Sequence, residues 1–387
     1  MNTKIGMQAF PLLLAVMLVS AGVMPLASAT ENEGAGIDLD RYSPPQLNVD
    51  PSIETIAISE ALSPQPERRI TDGRTEGGIP FGSIVVHAAD GITRVFDRDG
   101  NQLLSISDEK SGKLPTPAGI EKSCTRLHQL PNDSRVYHRG DQTFVLDAAG
   151  ELILTVIDEA PPSSRNVAML RGWTGHSWVE SAEDEPNSEI TEYTAYWTVP
   201  SSPPSLESDE IIYLFNGIEG TVEIEETGES KTYLLQPVLA YNGSTHQWQG
   251  QAWAACSIRQ DSYYGPLFDT ATGHTMRGRI YWSSSLNLWS ITIYDHTTGQ
   301  YSSLSTQCMQ PEPGYRVGCV LEAWHIDDNT DVPGDALFYD MEYKSYGTPM
   351  SIDLEPWYST EVPYEIMQYC WVEIIQDPSR VRLHTYN

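Results

Sequence analysis

The sequence predicts an all-β protein: an antiparallel two-sheet β-sandwich preceded by a small, repeat-built antiparallel β domain. Three observations carry that expectation. From about residue 166 onward the chain is rich in Trp, Tyr, Ser, Thr and Gly, in short strand-like runs separated by turn signals such as Asn242-Gly243 and "HTTGQ". No stretch after Pro200 sustains a 3.6-residue apolar period. Residues 76–160 carry one strand-and-turn pattern twice.

The elements follow in chain order. The start has a positive residue (Lys4), an apolar run from Phe10 to Val19, and Ala27-Ser28-Ala29. This reads as a signal peptide over residues 1–29 with cleavage before Thr30. The expected product is secreted and extracellular, with no membrane attachment after cleavage. Residues 30–75 are acidic and proline-bearing ("RYSPPQLNVDPSIE", "ALSPQPERR") and read as a linker. The formal net charge is -30, with six lysines against 17 arginines. Such a surface repels polyanions, which excludes nucleic acid and anionic membranes as partners.

In the repeat, "VVHAADGITRVFDRDGNQLLSISDE" from Val85 matches "VYHRGDQTFVLDAAGELILTVIDE" from Val136. His87 aligns with His138, Thr93 with Thr143, Gly100 with Gly150, and Leu104 with Leu154. Each copy reads as strand, turn, strand, D-x-x-G turn, strand. The recurrence of His87 and His138 is read as packing, and no metal site is expected there. "EAPPSSRN" (Glu159–Asn166) marks the boundary to the sandwich over 166–387.

Five cysteines are present, none in C-x-x-C spacing, so a zinc ribbon is not expected. Cys308 and Cys319 flank a turn-rich loop and are candidates for a bridge at its base. Cys124 is the candidate for the unpaired thiol.

Two polar residues stand out in apolar strands. In "VGCVLEAWHID", alternate positions put Glu322 on a face with Val320, Trp324 and Ile326. In "TYLLQPVLA", Gln236 shares a face with Leu234, Val238 and Ala240. Burying such groups without partners costs a few kcal/mol. On one concave face they can satisfy each other and a bound water. Of the tryptophans, Trp248 and Trp324 are candidates for lining a cleft, while Trp253, Trp282 and Trp289 are read as core.

"YTAYWTVP" (Tyr193–Pro200), "NGIEG" (Asn216–Gly220), "YLLQPVLAYNG", "HQWQGQAWAAC", "YDHTTGQ" and "LEAWHIDD" occur in the order seen in the glutamic peptidases, or eqolisins. The chain resembles that family over roughly residues 193–340. The resemblance implies a concanavalin A-like sandwich (a jelly roll) and a catalytic Gln/Glu pair, which falls on Gln236 and Glu322. It implies a peptide or protein substrate, hydrolysis through an activated water, and no cofactor or metal. Where the family shows W-V-G-I-D-G, this chain has "LFNGIEG", so Phe215 and Glu219 take the substrate-side positions. In such a pair, Glu322 as carboxylate takes a proton from water while Gln236 steadies the oxyanion. Activity is then expected down to an ordinary glutamate pKa of roughly 4.3 unless burial raises it. The alternative is a non-catalytic secreted or surface sandwich that binds peptide or carbohydrate.

Other chemistries find little. "TGHSWVE" lacks the G-x-S-x-G elbow of a serine hydrolase. No H-E-x-x-H is present for a zinc peptidase.

Overall fold

A computed structural model describes residues 37–65, 78–117, 119–159, 173–180, 189–205, 207–224, 229–256, 261–326, 329–357 and 370–385. The expected leader, residues 1–29, lies outside the described residues.

The described chain is nearly all β, as its alternation and turn chemistry predict. The repeat forms two antiparallel meanders. Ser83–His87, Ile92–Phe96 and Gln102–Ser107 make the first; Ser134–Arg139, Gln142–Leu146 and Leu152–Asp158 make the second. Both carry a register shift at the same place, Val95/Phe96 and Val145/Leu146. Both close their second turn on a glycine in the left-handed region, Gly100 at φ 87° and Gly150 at φ 86°. A side chain there meets the Cβ clash that glycine escapes. The aligned histidines do the same local job. His87 Nδ1 lies 2.8 Å from Thr93 Oγ1, and His138 Nδ1 lies 3.0 Å from Thr143 Oγ1.

The meanders do not stand apart from the rest. Ser83–His87 pairs in parallel with Leu152–Asp158, and Ser134–Arg139 pairs in parallel with Tyr301–Thr306. One sheet of 15 described strands therefore runs from the repeat into the sandwich. It continues through Leu288–Asp295, Thr275–Ser283, Glu192–Thr198, Ala336–Ser345, Arg380–Thr385 and Cys370–Gln376. Residues 36–387 form one compact unit. The stretch expected as a linker is laid along the repeat. The Tyr42 hydroxyl donates to the Gly150 carbonyl at 3.0 Å, and Leu62, fully buried, donates its N–H to the Leu127 carbonyl at 2.9 Å. Apolar residues spaced among its prolines supply that docking, which an acidic composition hides.

The second sheet carries the site. Six strands are labelled here in chain order: β1 (Lys113–Thr116) and β2 (Ile120–Ser123), which form a separate hairpin, then β3 (Ile211–Ile224), β4 (Glu229–Asn242), β5 (Gln247–Cys256) and β6 (Arg316–Trp324). The central order is β6-β3-β4-β5, all antiparallel. Outside β5 lie Ser262–Tyr264 and then Leu127–Gln129, the last joined in parallel.

Alternation divides this sheet into two apolar faces. Leu214, Leu235, Leu239, Val317 and Leu321 face the first sheet and meet Trp197, Ile280, Ile291 and Phe338 in the inter-sheet core. Tyr213, Phe215, Val238, Trp253, Val320 and Trp324 form the opposite face and meet Ala61, Leu127 and Tyr264. Parity also decides the cysteine expectation. Cys319 points into the inter-sheet core, which Cys308 also borders, and the Cys308–Cys319 bridge is not formed. The Cys319 sulfur lies 3.2 Å from the Tyr193 hydroxyl, and burial pushes its thiol up to about 12. Cys124 is likewise a buried thiol.

Candidate functional site

Gln236 and Glu322 sit on the outer face of the second sheet, on the two strands that flank β3. Glu322 is the cross-strand neighbour of Tyr213. The pairings Phe215↔Val238 and Ile218↔Leu235 set Gln236 beside Gly217. The alternation read from the sequence therefore holds for both residues, and they share one side of the sheet.

That side is not an open groove. Both residues are fully buried. The cover is the β1–β2 hairpin, whose strands pair as far as Thr116↔Ile120 and whose turn carries Pro117 and Gly119. Gly119 at φ 69° supplies the left-handed residue that such turns use. Backbone groups of the hairpin take up the polar atoms beneath. Gln236 Nε2 donates to the Pro117 carbonyl, and the Gly119 N–H donates to Glu322 Oε1 at 3.1 Å. The Tyr213 hydroxyl donates to the Pro115 carbonyl at 3.0 Å. Carbonyls two residues apart thus turn to the same side, as in an extended peptide laid on the sheet.

Trp324 completes the first contacts of the acid, its indole Nε1–H donating to Glu322 Oε1 at 2.6 Å. Glu322 Oε2 and Gln236 Oε1 have no partner among the described residues. Leaving such acceptors dry costs about 1–3 kcal/mol each. Burial pushes the Glu322 carboxyl up to about 8, while the Trp324 and Gly119 N–H groups pull the other way. The acid is therefore held protonated beneath the hairpin at neutral pH, well above the ordinary value the sequence reading used.

The remaining expected site residues divide. Trp324 is on the acid. Phe215 is buried between Val320 and Val238, the floor that spaces the two polar strands. Glu219 lies further along β3, paired with Arg316 at 3.9 Å, and burial raises its carboxyl while Arg316 lowers it. It is not brought to Glu322. Trp248 is a correction: it lies in the inter-sheet core, edge-on to Tyr241 at 5.0 Å. The reason is parity. Trp253 is the cross-strand neighbour of Gln236, and Trp248, five positions earlier, falls on the other face.

The same count finds what the sequence reading missed. Trp253, read there as core, lies on the site face, stacked on Tyr264 at 4.5 Å. Its Nε1–H donates to Gln251 Oε1 at 2.8 Å, and Gln251 in turn donates to the Gly265 carbonyl. Tyr213 was detectable only through the strand register, which one sequence does not contain. A second buried polar group also went unforeseen: His87 meets His128 and Asp261, and not His138.

No known protein-family profile and no curated protein matches the chain. Among solved structures, the chain is similar to scytalido-glutamic peptidase bound to a peptide-based transition-state analogue. The identity is 15% and the TM-score 0.37, over 56% of this chain and 98% of that one. It is also similar to SCP-B, a member of the eqolisin family of peptidases, in complex with the tripeptide Ala-Ile-His. There the identity is 13% and the TM-score 0.36, over the same shares of the two chains. A third likeness, to the CBM2 module of an evolved Dit protein from Lactobacillus casei BL23 phage J-1, has 9% identity and a TM-score of 0.22, over 39% of this chain and 69% of that one.

Proposed function

We propose that this protein is a secreted glutamic-peptidase-like endopeptidase whose Gln236/Glu322 site is held latent by its own β1–β2 hairpin. The observation that carries the reading is the identity of the groups on the pair. A peptide carbonyl accepts from Gln236, and a peptide N–H two residues on donates to Glu322. These are the two kinds of backbone group a peptide substrate presents, offered here by the turn of the hairpin.

Once the hairpin lifts, water solvates Glu322 and its pKa returns toward the carboxylate range. The carboxylate takes a proton from water as the water oxygen bonds to the substrate carbonyl carbon. Gln236 Nε2–H donates to the oxygen that gains charge. Protonated Glu322 then gives its proton to the amide nitrogen as the C–N bond breaks, which restores the carboxylate. The neutral amide partner adds no like charge to the site, so one acid performs both transfers.

The second reading is a sandwich that binds peptide without cleaving it. The complete burial of the pair and the neutral acid favour it in the covered state. One experiment divides the readings. The purified chain, before and after limited proteolysis in the hairpin, is incubated with an unfolded protein substrate between pH 3 and pH 7. The peptidase reading expects cleavage after nicking that Glu322→Gln abolishes. Peptide binding without cleavage, unchanged by Glu322→Gln, establishes the second reading.

A further inference from the structure

His87 ends the strand Ser83–His87, His128 is central in Leu127–Gln129, and Asp261 immediately precedes Ser262–Tyr264. The three come from separate parts of the chain, and all are buried. Asp261 Oδ1 lies 2.9 Å from His87 Nε2 and 3.1 Å from His128 Nε2.

The hydrogen-bond directions around this group can be worked out. The Thr93 hydroxyl donates to Asp108 Oδ1 at 2.6 Å, so its proton is committed. Thr93 Oγ1 must then accept from His87 Nδ1–H at 2.8 Å. In a neutral His87 ring the remaining nitrogen, Nε2, is a bare lone pair. It faces a carboxylate oxygen, which is also an acceptor. Two acceptors at 2.9 Å need a proton or a metal ion between them. His128 brings its own Nε2 to the same carboxylate oxygen, while its ring stacks on Tyr263 at 5.3 Å.

Charge counting agrees. The groups linked through Asp261 and His87 are Asp108, Asp158 and Asp261, with Arg126 as their cation. Arg126 forks onto Asp158 at 2.9 and 3.2 Å and reaches Asp261 Oδ2 at 3.7 Å. Of these carboxylates only Asp261 is buried, while Asp108, Asp158 and Arg126 reach solvent. A buried carboxylate facing two neutral rings is costly, and a cation held by the three side chains removes that cost.

We propose that His87, His128 and Asp261 form a structural site for a zinc-class divalent metal ion that ties the repeat to the edge of the sandwich. Two imidazoles and one carboxylate suit zinc and its first-row neighbours and do not suit calcium or magnesium. With metal–ligand bonds near 2.0–2.2 Å, tetrahedral ligand atoms stand about 3.3 Å apart. The observed separations of 2.9 and 3.1 Å need to open by only a few tenths of an ångström. The Thr93–Asp108 pair orients His87 from behind, as carboxylate-backed metal histidines are oriented. This site stands independently of any peptide chemistry.

The test uses the full chain, stripped with chelator and then titrated with zinc alone. The expected result is one zinc per chain by elemental analysis, a higher melting temperature with zinc, and a visible Co2+ spectrum of tetrahedral type on cobalt loading. His128→Gln is expected to weaken binding at least about 10-fold, the loss typical of a ligand-shell defect. His138→Gln, which changes the aligned histidine, is expected to bind like the wild type. If His128→Gln does not fold, the wild-type measurement decides by itself. No zinc uptake, or uptake equal in His128→Gln, overturns the site. Two protonated rings in the metal-free protein, seen by imidazole NMR at neutral pH with zinc producing no change, overturn it as well.

Discussion

Two buried polar groups lie where the N-terminal half meets the second sheet, and they are held in different ways. The His87/His128/Asp261 group is side chain against side chain, charged, and backed by Arg126, Asp158, Thr93 and Asp108. The Gln236/Glu322 group is side chain against hairpin backbone, neutral, and keeps two side-chain oxygens without a partner among the described residues. Each hairpin contact is one that any extended peptide can replace. No other segment can replace the three-residue charged group. The contrast separates an anchor from an exchangeable occupant.

The largest expected effect is on the anchor. Asp261→Ala removes the acceptor shared by His87 and His128 and the second carboxylate beside Arg126, which keeps Asp158. Breaking a buried ionic group in this way costs about 3–5 kcal/mol. Chemical denaturation measures it, and a loss below about 1 kcal/mol removes the anchor from the comparison.

Next comes pH. Covered Glu322 keeps its proton up to about pH 8, against an ordinary carboxyl near 4.5. Between those values the folded chain holds a proton that the unfolded chain has released. The stabilisation is therefore fully present below about pH 4.5 and is lost as pH rises toward 8. Glu322→Gln has no such titration. Its unfolding free energy, measured by chemical denaturation, is expected to overtake that of the wild type increasingly from pH 5 to pH 8, by an amount on the order of a few kcal/mol. A difference that stays constant over this range contradicts a buried, protonated Glu322.

Trp253→Ala comes third. It removes the stack on Tyr264 and the bond to Gln251, and such truncations of a buried tryptophan cost about 3 kcal/mol or more when packing cannot relax. Here Tyr264 and the hairpin can settle, so a loss nearer 2 kcal/mol is expected by denaturation. The smallest effect belongs to His138→Gln, which changes one hydrogen bond to Thr143 and is expected to cost about 1 kcal/mol. A cost equal to that of His87→Gln would erase the distinction between the two repeat histidines.

Much of this was legible in the sequence. Alternation placed Gln236 and Glu322 each on the apolar face of its own strand, with Cys319 on the opposite face from Glu322; the strand pairing brings the two to one side of the sheet. The D-x-x-G turns and the aligned His–Thr pairs announced the two meanders. The all-β class followed from turn spacing. What was not legible depended on register and long-range pairing. The parallel joins at Ser83–His87 and Ser134–Arg139 fuse the repeat to the sandwich, and no local pattern encodes them. Trp248 was misassigned although parity relative to its neighbours could have corrected it, because the register of β5 against β4 was unknown. Pro117 and Gly119 read locally as ordinary turn residues; that they lie on Gln236 and Glu322 is a contact spanning more than a hundred residues. His87 drew attention through its repeat partner, while its true partners, His128 and Asp261, carry no shared spacing.

The most direct measurement concerns the hairpin. Gly119→Pro removes the N–H given to Glu322, and proline's φ near -65° is incompatible with the φ of 69° found there, so the turn must leave its seat. Cleavage of an unfolded protein substrate is compared for the wild type, Gly119→Pro, and Gly119→Pro combined with Glu322→Gln. A latent Gln/Glu peptidase gives at least about a 10-fold rise in the single variant, which corresponds to about 1.4 kcal/mol of released cover, and no activity in the double variant. Equal rates in all three, or a rise that survives the loss of Glu322, contradict it.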